Sequence, residues 1–403
     1  MSTSLLYHGF GIRGYEYVRT EYPGGETVFT IRQVPKACRC EACGSRDVRP
    51  EGHVERRSRS LPIGSRATVV VFPIPRVACQ ACGKVRQVKV DFADPRRTYT
   101  KAFERYALEL PRCMTLLDVA RHPGVSWDVV KDIRKRDLSR RYAKPKLKDH
   151  LRIAIDEIAV GKGHRYLTVV LDLKSGAVVF VGDGKGGDAL KPFWKRPRRC
   201  KAKVEAAAMD TSAAYHDAVS TYLPKAKIVF DHFHVIKLFD EKRSDLRRSL
   251  YHKAEDEQKK VLKGSRWLLL KAAENLDPGR DEEARLGKAL ELNKPLATAY
   301  SMKEDLRQFW SQPGKTFAGA FLTDWVRRAE ASGVRMLRQM AKTLESRRSG
   351  LLAYYDYPIS TGPLEGTNNE IKTMKRQAYG FRDQEFFKLK ILAIHEAKDA
   401  LVG

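Results

Sequence analysis

Two copies of one short pattern, Cys40-Glu-Ala-Cys43-Gly44 and Cys79-Gln-Ala-Cys82-Gly83, constrain this chain more than any other feature. A Cys-x-x-Cys turn followed by glycine aims two sulfurs at one point, because glycine accepts the backbone bend that a side chain resists. Two such turns predict a tetrahedral site for Zn²⁺ built from Cys40, Cys43, Cys79 and Cys82, with Cys38 near enough to compete as a ligand. Four protein ligands leave no open coordination position, so this zinc is expected to be structural. The remaining two cysteines, Cys113 and Cys200, are isolated and are expected to be plain core or surface residues. Seven cysteines in this pattern do not form a disulfide framework.

Between and after the cysteine pairs the texture is β-like, with the apolar run Val69-Val70-Val71-Phe72 stopped by Pro73. Residues 101 to 136 turn helical, and LLDVARHPGVSWDVVKDI, Leu116 to Ile133, has a helix-turn-helix layout. Ala120 permits close helix contact, Gly124 makes the turn, Ser126 caps the second helix, and Val125, Val130 and Ile133 face inward. The second helix would enter a major groove with Trp127, Asp128 and Lys131 toward the bases. Arg134, Lys135 and Arg136 open a basic run to Lys148 that suits phosphate contacts and also serves as a linker. An excess of 76 lysines and arginines over 49 acids, a net +27, agrees with a polyanionic partner, double-stranded DNA first.

From residue 151 the pattern becomes α/β. LRIAIDEIAV is a buried strand carrying an acid, followed by a turn with Lys162, His164 and Arg165; RYLTVVLDLKSG and AVVFVGDG form a hairpin, a weaker strand ends at Asp210, and the strand KIVFD ends at Asp231. This order predicts an RNase H-like core. Residues 236–350 show helical periodicity without β signal and are expected to be an all-helical insertion. A further helix starts near Pro363. The expected domains are a zinc-binding module at 1–95, the helix-turn-helix and linker at 96–150, the core at 151–235, the insertion at 236–350 and C-terminal helices at 351–403.

A carboxylate in an apolar strand needs a partner, and Asp156 follows Ile153-Ala154-Ile155 directly. Asp210 ends a second strand, and Glu365 opens a late helix that can pack across the sheet. Three such acids suit two Mg²⁺ or Mn²⁺ ions and in-line displacement at phosphorus. Lys372, Lys375 and Arg376 follow Glu365 as a basic stripe fitted to a DNA backbone. Glu157 would point to the opposite face of its strand.

Three blocks, IAIDEIAVGKGHRYLTVVLDLKSG, AMDTSAAYHDAVSTYLPKAKIVFDHFHVIK and YPISTGPLEGTNNEIKTMKRQAYGFRD, resemble the characteristic stretches of zinc-finger-bearing bacterial insertion-sequence transposases of the DDE class, the lineage called ISL-three. The resemblance takes in the cysteine pairs and the helix-turn-helix. It implies that Asp156, Asp210 and Glu365 are the catalytic triad, and that Asp231 with His234 is an accessory DxxH element, Asp231 rivalling Asp210 as the second acid. The family more often has arginine where this chain has His232. Such an enzyme would bind terminal inverted repeats and target DNA, cleave and transfer strands, and act as a homodimer or higher oligomer. Two other classes compete: a DNA-binding regulator or domesticated transposase without catalysis, and an RNase H-like nuclease that cuts without joining. No apolar run is long enough for a bilayer, so a cytoplasmic, nucleoid-associated protein without membrane contact is expected.

Overall fold

The computed structural model describes residues 5–34, 38–112, 114–145, 147, 152–161, 163–200 and 203–395; Cys113 and Lys162 lie outside them. The chain forms two compact units, Met1–Arg140 and Arg141–Gly403.

In the first unit, strands β1 (Tyr15–Glu21), β2 (Thr27–Gln33), β3 (Val48–Ile63) and β4 (Arg66–Cys79) lie in the order β1-β2-β4-β3, and β5 (Val85–Gln87) pairs with β4. The apolar run in β4 is buried on both faces: Val70 and Phe72 pack with Ile31, Tyr15 and Phe92, while Val69 and Val71 pack with Val28. That two-sided burial explains why the run does not alternate with polar residues. β3 and β4 form a long hairpin closed at Gly64, whose φ of +62° suits a two-residue turn. Helices Lys101–Glu109, Leu116–Arg121 and Trp127–Tyr142 follow. The first two are capped by Thr100 and Thr115, whose hydroxyls accept from the N–H groups of Phe103 and Asp118. The third helix continues through Tyr142, so the basic run is helical from Arg134 to Tyr142; no glycine or proline interrupts it before Pro145.

In the second unit, β6 (Arg152–Gly161), β7 (Arg165–Asp172), β8 (Val178–Asp183), β9 (Ala206–Met209) and β10 (Lys227–Phe230) lie in the order β10-β9-β6-β7-β8. β6, β7 and β8 pair antiparallel, whereas β9 pairs parallel with both β6 and β10. One face of the sheet, through Ile153, Ile155, Val170, Ala207, Met209 and Phe230, packs on helices Gly187–Cys200, Ala213–Tyr222 and His232–Lys253. The other, through Ala154, Ile158, Val169, Ala208 and Val229, is covered by Leu364 and Ile371 of helix Gly362–Gln377 and by Phe387 and Ile391. β9 alternates its alanines between these two cores, and its small side chains leave room for the layers on either side.

The described residues between His232 and Leu352 contain helices and no strand. Phe239, Met302, Leu322, Trp325, Met340 and Leu351 share the sheet's own core, and Leu262, Leu268, Leu286 and Leu296 make a satellite cluster. The helical stretch is thus packed into the unit rather than appended to it. Among the described residues no helix is long and apolar enough to cross a membrane.

Candidate active site and nucleic-acid interface

The two cysteine knuckles have the same backbone design. Gly44 N–H donates to Cys40 O and Cys40 N–H to Ser45 O; Gly83 N–H donates to Cys79 O and Cys79 N–H to Lys84 O. Gly44 and Gly83 both adopt left-handed φ, +77° and +67°. The sulfurs of Cys40, Cys43, Cys79 and Cys82 all lie within 4.8 Å of one another, with Cys40 to Cys82 at 3.7 Å and Cys43 to Cys79 at 3.5 Å. A tetrahedral Zn²⁺ with bonds of about 2.3 Å holds its sulfurs about 3.8 Å apart, so the four fit a structural zinc. Cys38 is not part of the group. Backbone N–H groups of Cys43 and Ala42 bring the Cys40 thiol down to about 7, while, against a backbone bond from Ser45, the neighbouring sulfurs of Cys79 and Cys82 push Cys43 up to about 12, the crowding that a shared cation relieves. The long interval between the pairs is the β3–β4 hairpin, whose register sets Val48 opposite Cys79.

The helix-turn-helix is built as expected. Val119, Ala120 and Val130 form one small core, and Tyr99, Phe103, Ala107 and Ile133 another; Val125 packs on both. Gly124 turns with φ +64°, and Ser126 Oγ accepts from Val129 N–H at 3.4 Å. Trp127 is exposed at the start of the second helix, with Lys131 Nζ 5.2 Å from its ring centre. Arg136 differs from the expectation of a phosphate contact. Its guanidinium donates to Tyr99 Oη at 2.6 Å and to Glu104 at 3.1 Å, tying the second helix to Lys101–Glu109. Arg134 lies 3.7 Å from the buried carboxylate of Asp137. A helix with so many arginines spends some of them internally because neighbouring acids sit at helical spacing.

In the second unit, sheet register gathers the acids. Ile155 pairs with Met209, and Met209 with Phe230, across three neighbouring parallel strands. Asp156, Asp210 and Asp231 each come one residue later, level with one another. Since Ile155, Met209 and Phe230 face the helix-rich core, the next residues face the side covered by Gly362–Gln377. Asp156 Oδ1 accepts from Glu157 N–H at 2.8 Å, and Oδ2 accepts from the Asn368 amide at 2.9 Å. Burial, opposed by the Glu157 N–H bond and the His234 charge, pushes Asp156 up to about 6. Asp210 Oδ1 accepts from Ser212 N–H at 2.9 Å, an Asx turn. Arg347 donates to the carbonyl of Thr211 and holds that turn from the helical region.

Asp231 is buried, with His234 Nδ1 3.2 Å from Oδ2 and Thr361 N–H 3.4 Å from Oδ1. Burial alone would raise it; the His234 hydrogen bond and the charges of His232 and His234 hold it below the usual carboxylate range. Burial conversely opposes charge on His234, yet the Asp231 bond and the charges of Asp156, Asp231 and Asp210 raise it above its ordinary value. His234 is therefore a basic group set among these carboxylates, held to Asp231 by its Nδ1. Glu365 lies in the first turn of Gly362–Gln377, half-buried and three residues before Asn368, on the same helix face. Among the described residues only the four cysteines close to within 4.8 Å as a ligand group; the acids stand more loosely. Lys372 and Arg376 are exposed and Lys375 half-buried further along this helix. Glu157 points to the opposite face, where its charge joins burial in raising the Tyr215 hydroxyl. Sequence reasoning sets Asn368 behind Glu365 at helical spacing but does not show its bond to Asp156, nor those of Thr361 to Asp231 and Arg347 to Thr211. The available signal for Asn368 was its position in the apolar stripe Leu364, Thr367, Asn368, Ile371.

Residues 153–391 match the family model described as "Transposase" for the ISL3 group. Residues 88–137 match the helix-turn-helix domain of transposase family ISL3, and residues 36–82 the zinc-finger of transposase IS204/IS1001/IS1096/IS1165. The chain is 32% identical over 393 residues to the transposase for insertion sequence element IS1001 of Bordetella parapertussis, covering 96% of this chain and 95% of that protein. It is 27% identical over 394 residues to the transposase for insertion sequence element IS1557 of Mycobacterium tuberculosis, covering 91% and 87%. Among solved structures it is similar to the Drosophila P element transposase strand transfer complex, at 12% identity and TM-score 0.39, over 71% of this chain and 89% of that one. A zinc ribbon, a helix-turn-helix and a DDE transposase domain in this order define the class, a metal-dependent DNA transposase. The chain belongs to the ISL3 family of insertion-sequence transposases.

Proposed function

We propose that the second unit is an RNase H-like core carrying a helical insertion, and that Asp156, Asp210 and Glu365 are its catalytic acids. The strand order β10-β9-β6-β7-β8, with a three-stranded antiparallel meander and two parallel strands beyond it, supports this reading. The observation that carries it is the level placement of Asp156 and Asp210 on adjacent strands, under a helix that Asn368 ties to Asp156 and on which Glu365 stands one turn away.

The donor set fits divalent ions: carboxylate oxygens, hard ligands of the kind Mg²⁺ and Mn²⁺ take, with Asp156 kept in a buried place that disfavours its charge until a cation compensates it. Ions bound there supply activation of the attacking hydroxyl and stabilisation of the leaving oxygen. The chain's own contribution is to hold the acids. The Glu157 N–H bonds Asp156, Ser212 N–H and Arg347 fix the turn at Asp210, and His234 sits against Asp231. Asp231, bound by His234 and Thr361, serves as the accessory acid rather than the second catalytic one.

The helix-turn-helix reads terminal inverted repeats through Trp127 and Lys131, with Lys135 toward phosphates, and Lys372, Lys375 and Arg376 follow the DNA backbone near the site. Joining two element ends calls for at least two copies of the chain on one DNA complex, acting in the cytoplasm on the nucleoid. The test is cleavage and joining of labelled terminal-repeat DNA with Mg²⁺ or Mn²⁺. Asp156→Ala, Asp210→Ala and Glu365→Ala should bind the DNA and leave it intact. Loss of activity in Asp231→Ala but not in Asp210→Ala would move the second catalytic role to Asp231. A wild type that binds tightly yet never cuts would favour the regulator reading.

A further inference from the structure

Asn368 is a polar residue on the buried stripe of its helix, between Leu364 and Ile371, which are 0% and 1% exposed. It is itself only 6% exposed. Its amide Nδ2 donates to Asp156 Oδ2 at 2.9 Å, and its carbonyl Oδ1 is buried without a hydrogen-bond partner. An apolar side chain of the same size would fill this place without an orphaned oxygen, so burial alone does not account for asparagine here. The helix is anchored on both sides of Asn368: Leu364 and Ile371 sit in the sheet's second core, and Thr367 Oγ1 lies 3.1 Å from Nε2 of the buried His395. A donor on so rigid a support fixes the direction of whatever it binds.

We infer that Asn368 is a positioning residue: it holds the Asp156 carboxylate in one rotamer, with the lone pairs not used by Asn368 and Glu157 N–H turned to the site. This inference rests on the reading of Asp156 as a metal-binding acid. Partners that orient a ligating carboxylate typically matter by 10–100-fold in metal affinity.

The experiment uses the full, zinc-loaded chain and measures Mn²⁺ binding directly, by calorimetry or paramagnetic resonance without DNA, beside thermal unfolding. Asp156→Ala identifies the site. Asn368→Leu suits the apolar stripe and should keep the melting temperature; Asn368→Ala is the smaller second variant. The expected result is a 10–100-fold weaker Mn²⁺ Kd for both Asn368 variants, with unchanged affinity for terminal-repeat DNA. If wild type binds Mn²⁺, Asp156→Ala does not, and either folded Asn368 variant binds as wild type does, the positioning role is overturned while the acid assignment stands. A wild type with no Mn²⁺ site dependent on Asp156 overturns the acid assignment and this inference together.

Discussion

Asp156 and Asp210 stand level on adjacent parallel strands, each one residue beyond the paired residues Ile155 and Met209. Register forces both carboxylates onto one face of the sheet, and Asp231 extends the row through the pairing of Met209 with Phe230. Burial and, to a lesser degree, the charge of Asp210 raise Asp156, while the charge of His234 opposes them.

Asp156 gives a pH-dependent stability. Its folded value, about 6, is above that of a free aspartate, so the folded chain holds its proton more tightly. The associated stabilisation is complete below pH about 4 and disappears as pH rises through about 6, after which a buried negative charge remains. In zinc-loaded protein without added Mg²⁺ or Mn²⁺, Asp156→Asn should be more stable than wild type at pH 7.5, by at most about 3 kcal/mol, and the difference should vanish near pH 3.5. Urea unfolding at the two pH values checks this; an equal difference at both would contradict it.

Gly350 lies against Phe230, the residue before Asp231. A Cβ at this glycine would be 2.5 Å from the ring carbons and 3.3 Å from Ile228 O. The ring is packed in the core, so Gly350→Ala should cost about 1–3 kcal/mol in urea unfolding. Cleavage should fall with it, as the shift reaches Asp231. An unchanged midpoint would mean that the helix Arg348–Leu352 yields freely.

Arg136 and Trp127 separate folding from DNA reading. Arg136→Ala removes a donor from Tyr99 and Glu104 and should lower stability by about 1–2 kcal/mol. Trp127→Ala and Lys131→Ala should leave the melting temperature alone and weaken discrimination of the terminal repeat by about 1–3 kcal/mol per base pair lost. Melting curves beside binding to cognate and scrambled DNA, at one fixed salt concentration, give both quantities. The reverse pattern would exchange the two roles.

Zinc content tests the knuckles. Purified protein should hold one zinc per ribbon, Cys38→Ser should retain it, and Cys79→Ser should lose it. Structural zinc contributes on the order of 10 kcal/mol to small folds of this kind. Residues near the lost ligand should then become open to proteolysis. Zinc retained by Cys79→Ser, or lost by Cys38→Ser, would require a different ligand set.

The cysteine knuckles, the helix-turn-helix and Asp156 at the end of an apolar run were legible in the sequence because each is settled within a few residues. Turn glycines, capping hydroxyls and helical or strand periodicity act over one or two turns of chain. The β3–β4 hairpin behind the long cysteine interval was not legible, since nothing local states which strands pair. Nor was the commitment of Arg136 to Tyr99, 37 residues away, or of Arg347 to Thr211, 136 residues away. The sequence by itself determined which residue types were available and where the local turns and helices fall. Only the tertiary structure decided that Asn368 meets Asp156 across 212 residues, because sheet register and the packing of Leu364 and Ile371 set which side chains face each other.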